Sequence, residues 1–312
     1  MKSDFKMLIA LIKRNSKIYF KDKLTFFLSL ITPLILIVLF IVFLKNVYTS
    51  TLTSAMPEDI TLSSKVINAF SGGWLFSSIM GVSCITISFC SNMIMATDKI
   101  NKNILDFNIT PVKKYIVNLS YLVSNFISTF VVCFITMIVG FIYLVCVGWF
   151  ISFVDILLIL LTMILNIMFG SLLSTIVCSF INSQGGVSAV STIVSSMYGF
   201  LSGAYMPISQ SGKGIQAFVS FIPGTYGTIL FRNFYMRGTI KQIAKYVPSE
   251  IVKVIEESFD CRFAFFGHNL SLSTMFLILF FSCVVLFLIY VFVVSKNRNN
   301  ATFKVKHKNA KA

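Results

Sequence analysis

Asp98-Lys-Ile-Asn-Lys-Asn-Ile-Leu-Asp-Phe-Asn-Ile-Thr-Pro-Val-Lys-Lys-Tyr115 is a short polar segment that separates two long apolar runs without charged residues. Its lysines and aspartates make it soluble, while Ile104, Phe107 and Ile109 give it an apolar surface that could dock on another protein. Pro111 limits any helix, because the residue before a proline disfavours helical geometry. The segment predicts a helix and turn outside the membrane, although an ordinary basic loop between two spans has a similar composition.

The composition is that of an integral membrane protein. Of the 312 residues, 56% are hydrophobic and 12% are charged, and the mean hydropathy is +0.87, whereas a soluble domain has roughly 25% charged residues. A helix needs about 20 apolar residues to cross about 30 Å of hydrocarbon, because its backbone polar groups must be satisfied within the helix. The apolar runs can therefore be counted as spans.

These runs predict an all-α integral membrane fold with six transmembrane helices in a single domain over residues 1–312. Gly148, Trp149 and Asp155 mark a polar break in the long run after Tyr115, and the turn-forming sequence of residues 182–186 precedes the fifth span. The predicted spans cover residues 24–44, 74–96, 119–147, 157–180, 187–201 and 272–294.

Lysine and arginine are concentrated in three segments. Seven precede residue 24, four lie between Asp98 and Lys114, and six follow Ser295, against two between residues 45 and 69. Because short cytoplasmic loops are enriched in these residues, we expect a multi-pass protein of the cell (plasma) membrane with both termini and the Asp98 segment in the cytoplasm. The net charge of +15 then reflects orientation and attraction to membrane lipids, and no nucleic-acid partner is expected.

The two ends of the chain are basic. In residues 1–23, apolar side chains recur near helical spacing among lysines, which predicts an interfacial helix lying on the membrane surface. The alternative is a basic flank that only orients the first span. Residues 295–312 form a lysine-rich tail, to which we assign no chemistry.

The segment before the last span differs from a simple loop. Residues 203–271 are predicted to form an extracellular re-entrant hairpin and loop, because prolines and glycines interrupt the apolar first half and such backbone is tolerated at membrane depth only inside protein or beside a cavity. In the second half, from Lys241 to Asp260, apolar and charged residues alternate with helical periodicity. This pattern predicts a short amphipathic helix, or a pair split near Pro248.

No set of residues indicates catalysis. The sequence has no Gly-x-x-x-x-Gly-Lys-Ser/Thr phosphate loop, since Ser211-Gly-Lys-Gly214 lacks the spacing and the hydroxyl. The two histidines lie in a loop and in the tail, no span holds a pair of carboxylates, and the seven cysteines have no metal or disulfide spacing. We expect no catalytic residue, metal or cofactor on this chain. The lack of charged residues inside the spans also argues against a proton-coupled carrier.

Small and hydroxyl side chains follow one face of the fifth predicted span. This row consists of Ser188, Thr192, Ser195, Gly199 and Ser202, and Asn166 belongs to a similar row on the fourth span. Two interpretations stay open: close packing of helices, which is the usual role of small residues in membranes, or a translocation path. The fifth span is the better candidate for a path, because its row leads directly into the irregular segment after Ser202.

The chain resembles the transmembrane subunits of type-2 ABC exporters, including drug and antibiotic efflux systems. Asp98-Lys99, Asp106-Phe107 and Thr110-Pro-Val-Lys-Lys114 are similar to the coupling helix between the second and third spans of that family. Leu201-Ser-Gly-Ala-Tyr-Met-Pro207, Ile222-Pro-Gly-Thr-Tyr-Gly227 and Arg232 are similar to the family's outer hairpin. One departure is Lys102-Asn103, where family members often have glycine followed by a small hydroxyl residue.

The resemblance implies a permease subunit that is not itself an enzyme and that exports a hydrophobic or amphipathic substrate, such as a drug, antibiotic, peptide or lipid-like compound. A separate nucleotide-binding ATPase subunit would carry the ATP and Mg, and a second permease copy or a paralogue would complete a dimer. A lipid-linked polysaccharide exporter is the nearest alternative, and an autonomous secondary carrier or channel is another. The residues implied are Asp98, Lys99, Lys102, Asp106, Phe107, Thr110, Pro111 and Lys113 for ATPase coupling, and Gly203, Pro207, Pro223, Tyr226 and Arg232 for the outer hairpin.

Overall fold

A computed structural model describes residues 2–54, 56, 62–110, 112–265 and 268–309. The helices are α1 (Lys2–Lys21), α2 (Lys23–Leu39), α3 (Lys45–Ser54), α4 (Ser64–Ile100), α5 (Ile104–Asn108), α6 (Lys114–Val147), α7 (Phe153–Phe180), α8 (Gln184–Leu201), α9 (Lys213–Val219), α10 (Pro223–Ile243), α11 (Ser249–Ser258) and α12 (Leu272–Asn309). A π-helical turn, Phe40–Leu44, joins α2 to α3, and a 3-10 turn, Ile208–Gln210, precedes α9. The short strands β1 (Ala264–Phe265) and β2 (His268–Asn269) pair antiparallel. The predicted all-α membrane fold is confirmed.

Several of these helices are long and apolar enough to cross a membrane. Within the described part of the chain they are α4, α6, α7 and the Leu272–Ser295 portion of α12. Two bent pairs reach this length together: Asp4–Lys21 with α2, at 76°, and α9 with α10, at 97°. Helix α8 covers the fifth predicted span, but it is more polar and lies outside this set.

The first predicted span begins at a sharp bend. Asp22 caps α2, accepting hydrogen bonds from the Thr25 amide at 3.2 Å and the Thr25 hydroxyl at 2.7 Å, and the bend turns α1 away from the axis of α2 as an interfacial helix requires. The helical backbone continues past Leu44 through α3. Tyr48 of α3 packs against Trp74, with ring centroids 4.2 Å apart, so a polar segment is held in helical form by contact with α4.

Helix α4 is the centre of the bundle. It is buried along most of its length, although it is the least apolar of the four long spans, whereas the Leu272–Ser295 portion of α12 is the most apolar and the least buried. A lipid-facing helix needs an apolar surface, but a central helix can present small residues to its neighbours. At Gly170 of α7, for example, a Cβ would lie 2.9 Å from the Cys84 carbonyl oxygen.

The region after α8 contains the kind of break predicted for residues 203–271, since α9 and α10 meet at an angle of 97°. Pro223 follows this bend as the first residue of α10, a position that proline favours. Gly224 and Gly227 are likewise points of close packing, against Tyr198 and Asn166, so α10 runs as one buried helix against α4, α7 and α12. Of the residues that the sequence indicated as breaks, Gly224 and Gly227 instead lie inside α10 and let it pack closely.

The segment from Lys241 to Asp260 divides near Pro248, the second of the two arrangements predicted for it. Residues up to Ile243 belong to α10, and a turn ending at Pro248 separates it from α11. Only α11 has the amphipathic character, with Ile255 buried and Val254 exposed.

The bundle has two ends, which α4 connects. At 1.5 Å per residue, its 37 residues span about 55 Å. Phe70 near its start packs against Phe259, with ring centroids 4.8 Å apart, and Asp98 near its end pairs with Arg14 of α1. We call these the α11 end and the α5 end.

Candidate functional site

The segment after α4 folds back on the α5 end. Lys102 has φ = +63°, in the left-handed region that favours glycine, and this conformation reverses the chain within three residues of α4. Asn103 Nδ2 then donates to Asp98 Oδ1 at 2.9 Å. At the other end of α5, the Thr110 hydroxyl donates to the Phe107 carbonyl at 2.8 Å. The segment is therefore folded compactly and is not an extended loop. We call residues 98–114 the bracket.

The Asp98 carboxylate joins this bracket to three helices. It is buried, and its Oδ2 accepts hydrogen bonds from Arg14 of α1 at 2.8 Å and from the Tyr121 hydroxyl of α6 at 2.6 Å. Hydrogen bonds to a charged group are stronger than neutral ones. Because Asp98 itself belongs to α4, one carboxylate fixes α1, α4 and α6 relative to the bracket.

Arg14 also contacts α5 directly. Its guanidinium carbon lies 5.5 Å from the centre of the Phe107 ring, within the range of a cation–π contact. The same arginine donates to Asn15 Oδ1 at 2.9 Å, and Asn15 Nδ2 donates to the Ser120 hydroxyl of α6 at 3.3 Å. Movement of α5 is thus linked through Arg14 to both α1 and α6.

The opposite face of α5 is exposed. Leu105 is 56% and Ile109 is 88% exposed, and Asp106 lies beside them on the surface. These apolar side chains lie next to a charged one and outside the long spans, and no described residue covers them. The bracket therefore has an inner face that binds the bundle and an outer face that is free in the chain described here.

The structure divides the predicted coupling residues between these two faces. Asp98 is buried, Phe107 is half-buried, and Lys99 is half-buried with its Nζ donating to the Ser179 carbonyl at 2.6 Å. The exposed members are Lys102, Asp106, Thr110 and Lys113. Pro111 lies outside the described residues.

Sequence reasoning missed the partners of Asp98. Arg14 was counted only as one of seven basic residues before the first span, and Tyr121 only as part of an apolar run. A usable signal was present, because Arg14 is the single arginine among those seven residues. Arginine is the cation that binds a carboxylate with a fixed fork geometry.

A large groove lies between the first and fifth predicted spans. Its volume is about 910 Å³, and its apolar wall comes mostly from α2, the π-helical turn and α3. The facing wall of α8 supplies four hydroxyl groups, from Ser191, Thr192, Ser195 and Ser196. We call it the α2–α8 groove. It combines a hydrocarbon surface with a row of hydrogen-bonding groups.

The predicted small-residue row divides at this groove. Thr192 and Ser195 line it, and Ser188 is exposed one turn before Thr192. Gly199 is buried under the Tyr205 ring, and Ser202 is buried in the turn that ends α8. These two positions are packed, whereas a translocation path remains a prediction for Ser188, Thr192 and Ser195.

Asn166 lies away from that groove, in the core between α7 and α10. Its side chain packs on Gly227, and its amide atoms have no hydrogen-bond partner among the described residues. Of the two interpretations left open for its row, this position agrees with helix packing.

Gly203 and Arg232, two of the predicted hairpin residues, meet at the α11 end. Arg232 Nη1 lies 2.6 Å from Asp260 Oδ2, both side chains are almost fully buried, and the guanidinium also donates to the Gly203 carbonyl. Its carbon is 4.9 Å from the Trp74 ring centre. Gly203 has φ = +72°, a left-handed conformation that the turn after α8 requires.

Asp260, which pairs with Arg232, was not among the predicted site residues. We call these two residues and their hydrogen-bond partners the Arg232 node. The Asp260 carboxylate accepts hydrogen bonds from the backbone amides of Ile208 at 2.5 Å and Ser209 at 2.9 Å, and so fixes the turn that contains the buried Pro207.

Burial raises the pKa of the adjacent Cys261 thiol to about 12, so this thiol stays protonated at neutral pH. Tyr226 is buried nearby and its hydroxyl donates to the Ser220 carbonyl at 2.6 Å.

A second ion pair holds the other half of α10. Arg237 Nη1 lies 3.0 Å from Asp155 Oδ1, and Asp155 caps the start of α7 together with Ser152. Asp155 was interpreted only as a polar break between spans. It instead attaches α7 to α10.

Comparison with known proteins identifies the family. The model of the ABC-2 type transporter family matches residues 7–236, which include most of α1, the bracket, the α2–α8 groove and the Arg232 position. The comparison with curated proteins finds no match. Members of this family are membrane subunits that work with a separate ATPase subunit, commonly as dimers. The chain belongs to the ABC-2 type transporter family and is an ABC permease subunit.

Proposed function

We propose that the chain is the permease of an ATP-driven exporter, in which the cytoplasmic bracket of residues 98–114 docks on the ATPase subunit that carries ATP and Mg. The observation that supports this most directly is the two-faced bracket. Leu105 and Ile109 are exposed on its outer face, and Asp98 ties its inner face to the bundle. A loop that only joined two spans would need neither feature.

The contacts suggest how nucleotide-driven movement passes into the membrane. When the ATPase subunit moves α5, Phe107 and Asn103 transmit the movement to Arg14 and Asp98, which belong to α1 and α4. ATP binding can shift the permease between inward-facing and outward-facing states only if the docked ATPase interacts more favourably with one of them. Attachment at Asp98 then passes movement of the bracket to α1, α4 and α6, the helices that this carboxylate joins.

The α2–α8 groove is the proposed cargo surface. Its wall of aliphatic and aromatic residues suits the apolar part of an amphipathic compound, and Thr192 and Ser195 offer hydrogen bonds to the polar part. A second permease copy facing this groove would convert an open surface into an enclosed path. This arrangement favours a hydrophobic or amphipathic substrate, exported from the cell.

ATP hydrolysis by the assembled transporter tests this function. We would place the full-length chain and its co-purified ATPase in lipid nanodiscs and measure hydrolysis with a panel of amphipathic compounds. Compounds that are cargo should raise the rate. Thr192→Trp, which fills the groove, should reduce that stimulation, whereas Met197→Trp should not, because Met197 is 53% exposed on α8 but does not line the groove. Equal stimulation in both variants would rule out the groove as the cargo surface.

A further inference from the structure

A second groove lies at the α5 end, between the start of α6 and the last membrane turns of α12. Its volume is about 620 Å³, within the roughly 300–1,000 Å³ of small-molecule sites. The residues that line it are Lys113, Lys114, Tyr115, Leu119, Phe287, Tyr290, Val291, Val294 and Ser295. We call it the α6–α12 groove.

Its lining is divided between charge and hydrocarbon. The two lysines lie at the mouth, at the start of α6, and both are exposed. Farther along, Leu119 of α6 faces Phe287 and Val291 of α12. Positive charge is therefore concentrated at one end of a groove whose remaining length is apolar.

The positive charge at the mouth is only partly neutralised within the chain. Lys113 Nζ lies 2.8 Å from Asp4 Oδ2, and this hydrogen bond raises the pKa of the lysine. Lys114 forms no ion pair with any residue that the structure describes. The mouth thus retains an excess of positive charge that can bind an anion.

The groove also lies at the level expected for a lipid headgroup. Lys114 begins α6, and Ser295 ends the apolar part of α12, so both helices pass from hydrocarbon to water here. Tyr115 and Tyr290 lie at the same level, where aromatic residues are enriched in membrane proteins. The α2–α8 groove, in contrast, has no charged residue in its lining.

We propose that the α6–α12 groove binds one anionic phospholipid, with the phosphate between Lys113 and Lys114 and an acyl chain along Leu119, Phe287 and Val291. Basic pockets between membrane helices bind anionic headgroups in this way. A free anion would gain nothing from the apolar wall, and a zwitterionic lipid would gain little from two lysines. Only an anionic lipid uses both parts of the groove.

Native mass spectrometry of the full-length chain in neutral detergent tests the headgroup contact. Dioleoyl phosphatidylglycerol and dioleoyl phosphatidylcholine would be titrated separately. The account expects one tightly bound phosphatidylglycerol and weaker phosphatidylcholine binding. An unpaired lysine near the surface should contribute about fivefold, and Lys113 already pairs with Asp4, so Lys113→Ala/Lys114→Ala should weaken phosphatidylglycerol binding at least about fivefold. The control Lys13→Ala/Lys17→Ala removes the same charge from exposed positions on α1 that do not line the groove and should change binding little.

Three outcomes would overturn the proposal: equal binding of both lipids by the unmodified chain, equal losses in both double variants, or displacement of phosphatidylglycerol by equimolar inorganic phosphate. A second pair of variants examines the acyl wall without changing charge. Val291→Trp fills the groove and should reduce phosphatidylglycerol binding at least about threefold, since it removes apolar contact area. Leu288→Trp, on an exposed part of α12 outside the groove, should not, and equal effects of the two would also overturn the proposal.

Discussion

Arg232 and Asp260 form a buried ion pair, 2.6 Å between Nη1 and Oδ2, that joins the middle of α10 to the loop after α11. The carboxylate also binds two backbone amides of the turn after α8, and the guanidinium binds the Gly203 carbonyl. Two side chains thus hold together the end of α8, α10 and the α11 loop. Movement of α8, which forms one wall of the proposed cargo groove, is constrained by this node.

Removing the charge of Asp260 should therefore destabilise the permease. Asp260→Asn leaves the Arg232 guanidinium buried without its counterion, which costs roughly 3–5 kcal/mol. Thermal unfolding in detergent should show a large fall in midpoint. Glu250→Gln, an exposed acid of α11, is the matched control and should leave the midpoint unchanged. An unaltered midpoint for Asp260→Asn would show that the pair does not hold the α11 end together.

Replacing both partners should recover part of this loss. Arg232→Met/Asp260→Leu removes the unpaired charge, and buried ion pairs can often be exchanged for apolar residues at little cost. Recovery should be incomplete, because the Ile208 and Ser209 amides lose their acceptor. The same unfolding measurement applies, with the double variant expected above Asp260→Asn and below the unmodified chain. A double variant less stable than Asp260→Asn would contradict the charge argument.

Asp98 should affect coupling more than ATPase binding. Asp98→Asn weakens the charge-assisted hydrogen bonds from Arg14 and Tyr121, at a cost of roughly 1.5–3 kcal/mol, toward the lower value because Arg14 is partly solvated. The ATPase should still co-purify, but cargo-stimulated hydrolysis should fall. Glu250→Gln makes the same change on an exposed acid at the α11 end and should leave this stimulation unchanged. If Asp98→Asn keeps full stimulation, the hydrogen bonds of Asp98 do not transmit movement from the bracket to the helices.

Gly170 provides a test of how closely α7 packs on α4. A Cβ there would lie 2.9 Å from the Cys84 carbonyl oxygen, so Gly170→Ala forces the helices apart and should cost roughly 1–3 kcal/mol. Gly214→Ala, in α9, meets no atom within 4 Å and should be neutral or slightly stabilising, since alanine favours a helix. Thermal unfolding of the two variants compares the sites directly. Similar midpoints would contradict the packing.

The sequence predicts the long helices of this fold well, because a continuous apolar run has few alternatives to a membrane helix. It fails for α10. The arginines and glycines of that helix look unsuitable for a buried position, and they become suitable only through Asp155, Asp260 and Asn166, which are distant in sequence. Contacts between residues so far apart in the chain leave no local sequence pattern from which they could be predicted.

For the candidate site, too, the sequence predicts the location of the segment but not the partners of its side chains. The position of residues 98–114 between two spans and their mixed composition are local features, and the sequence locates the segment. Which side chains face the bundle depends on Arg14, 84 residues from Asp98, and on Tyr121. Leu105 and Ile109 can therefore be identified as exposed only from the structure, which shows that Phe107 and Asn103 face Arg14 and Asp98.

The central claim is that the outer face of the bracket docks an ATPase subunit, and affinity purification from native membranes tests it most directly. The tagged full-length chain would be solubilised in mild detergent, and the nucleotide-binding ATPase recovered with it would be quantified by mass spectrometry. Ile109→Asp introduces a charge at the most exposed apolar residue of the bracket, and Val254→Asp makes a comparable change on α11 at the opposite end. We predict that the ATPase co-purifies with the unmodified chain and with Val254→Asp, and that recovery falls at least about tenfold with Ile109→Asp. Undiminished recovery with Ile109→Asp, or no ATPase with the correctly folded unmodified chain, would contradict the account.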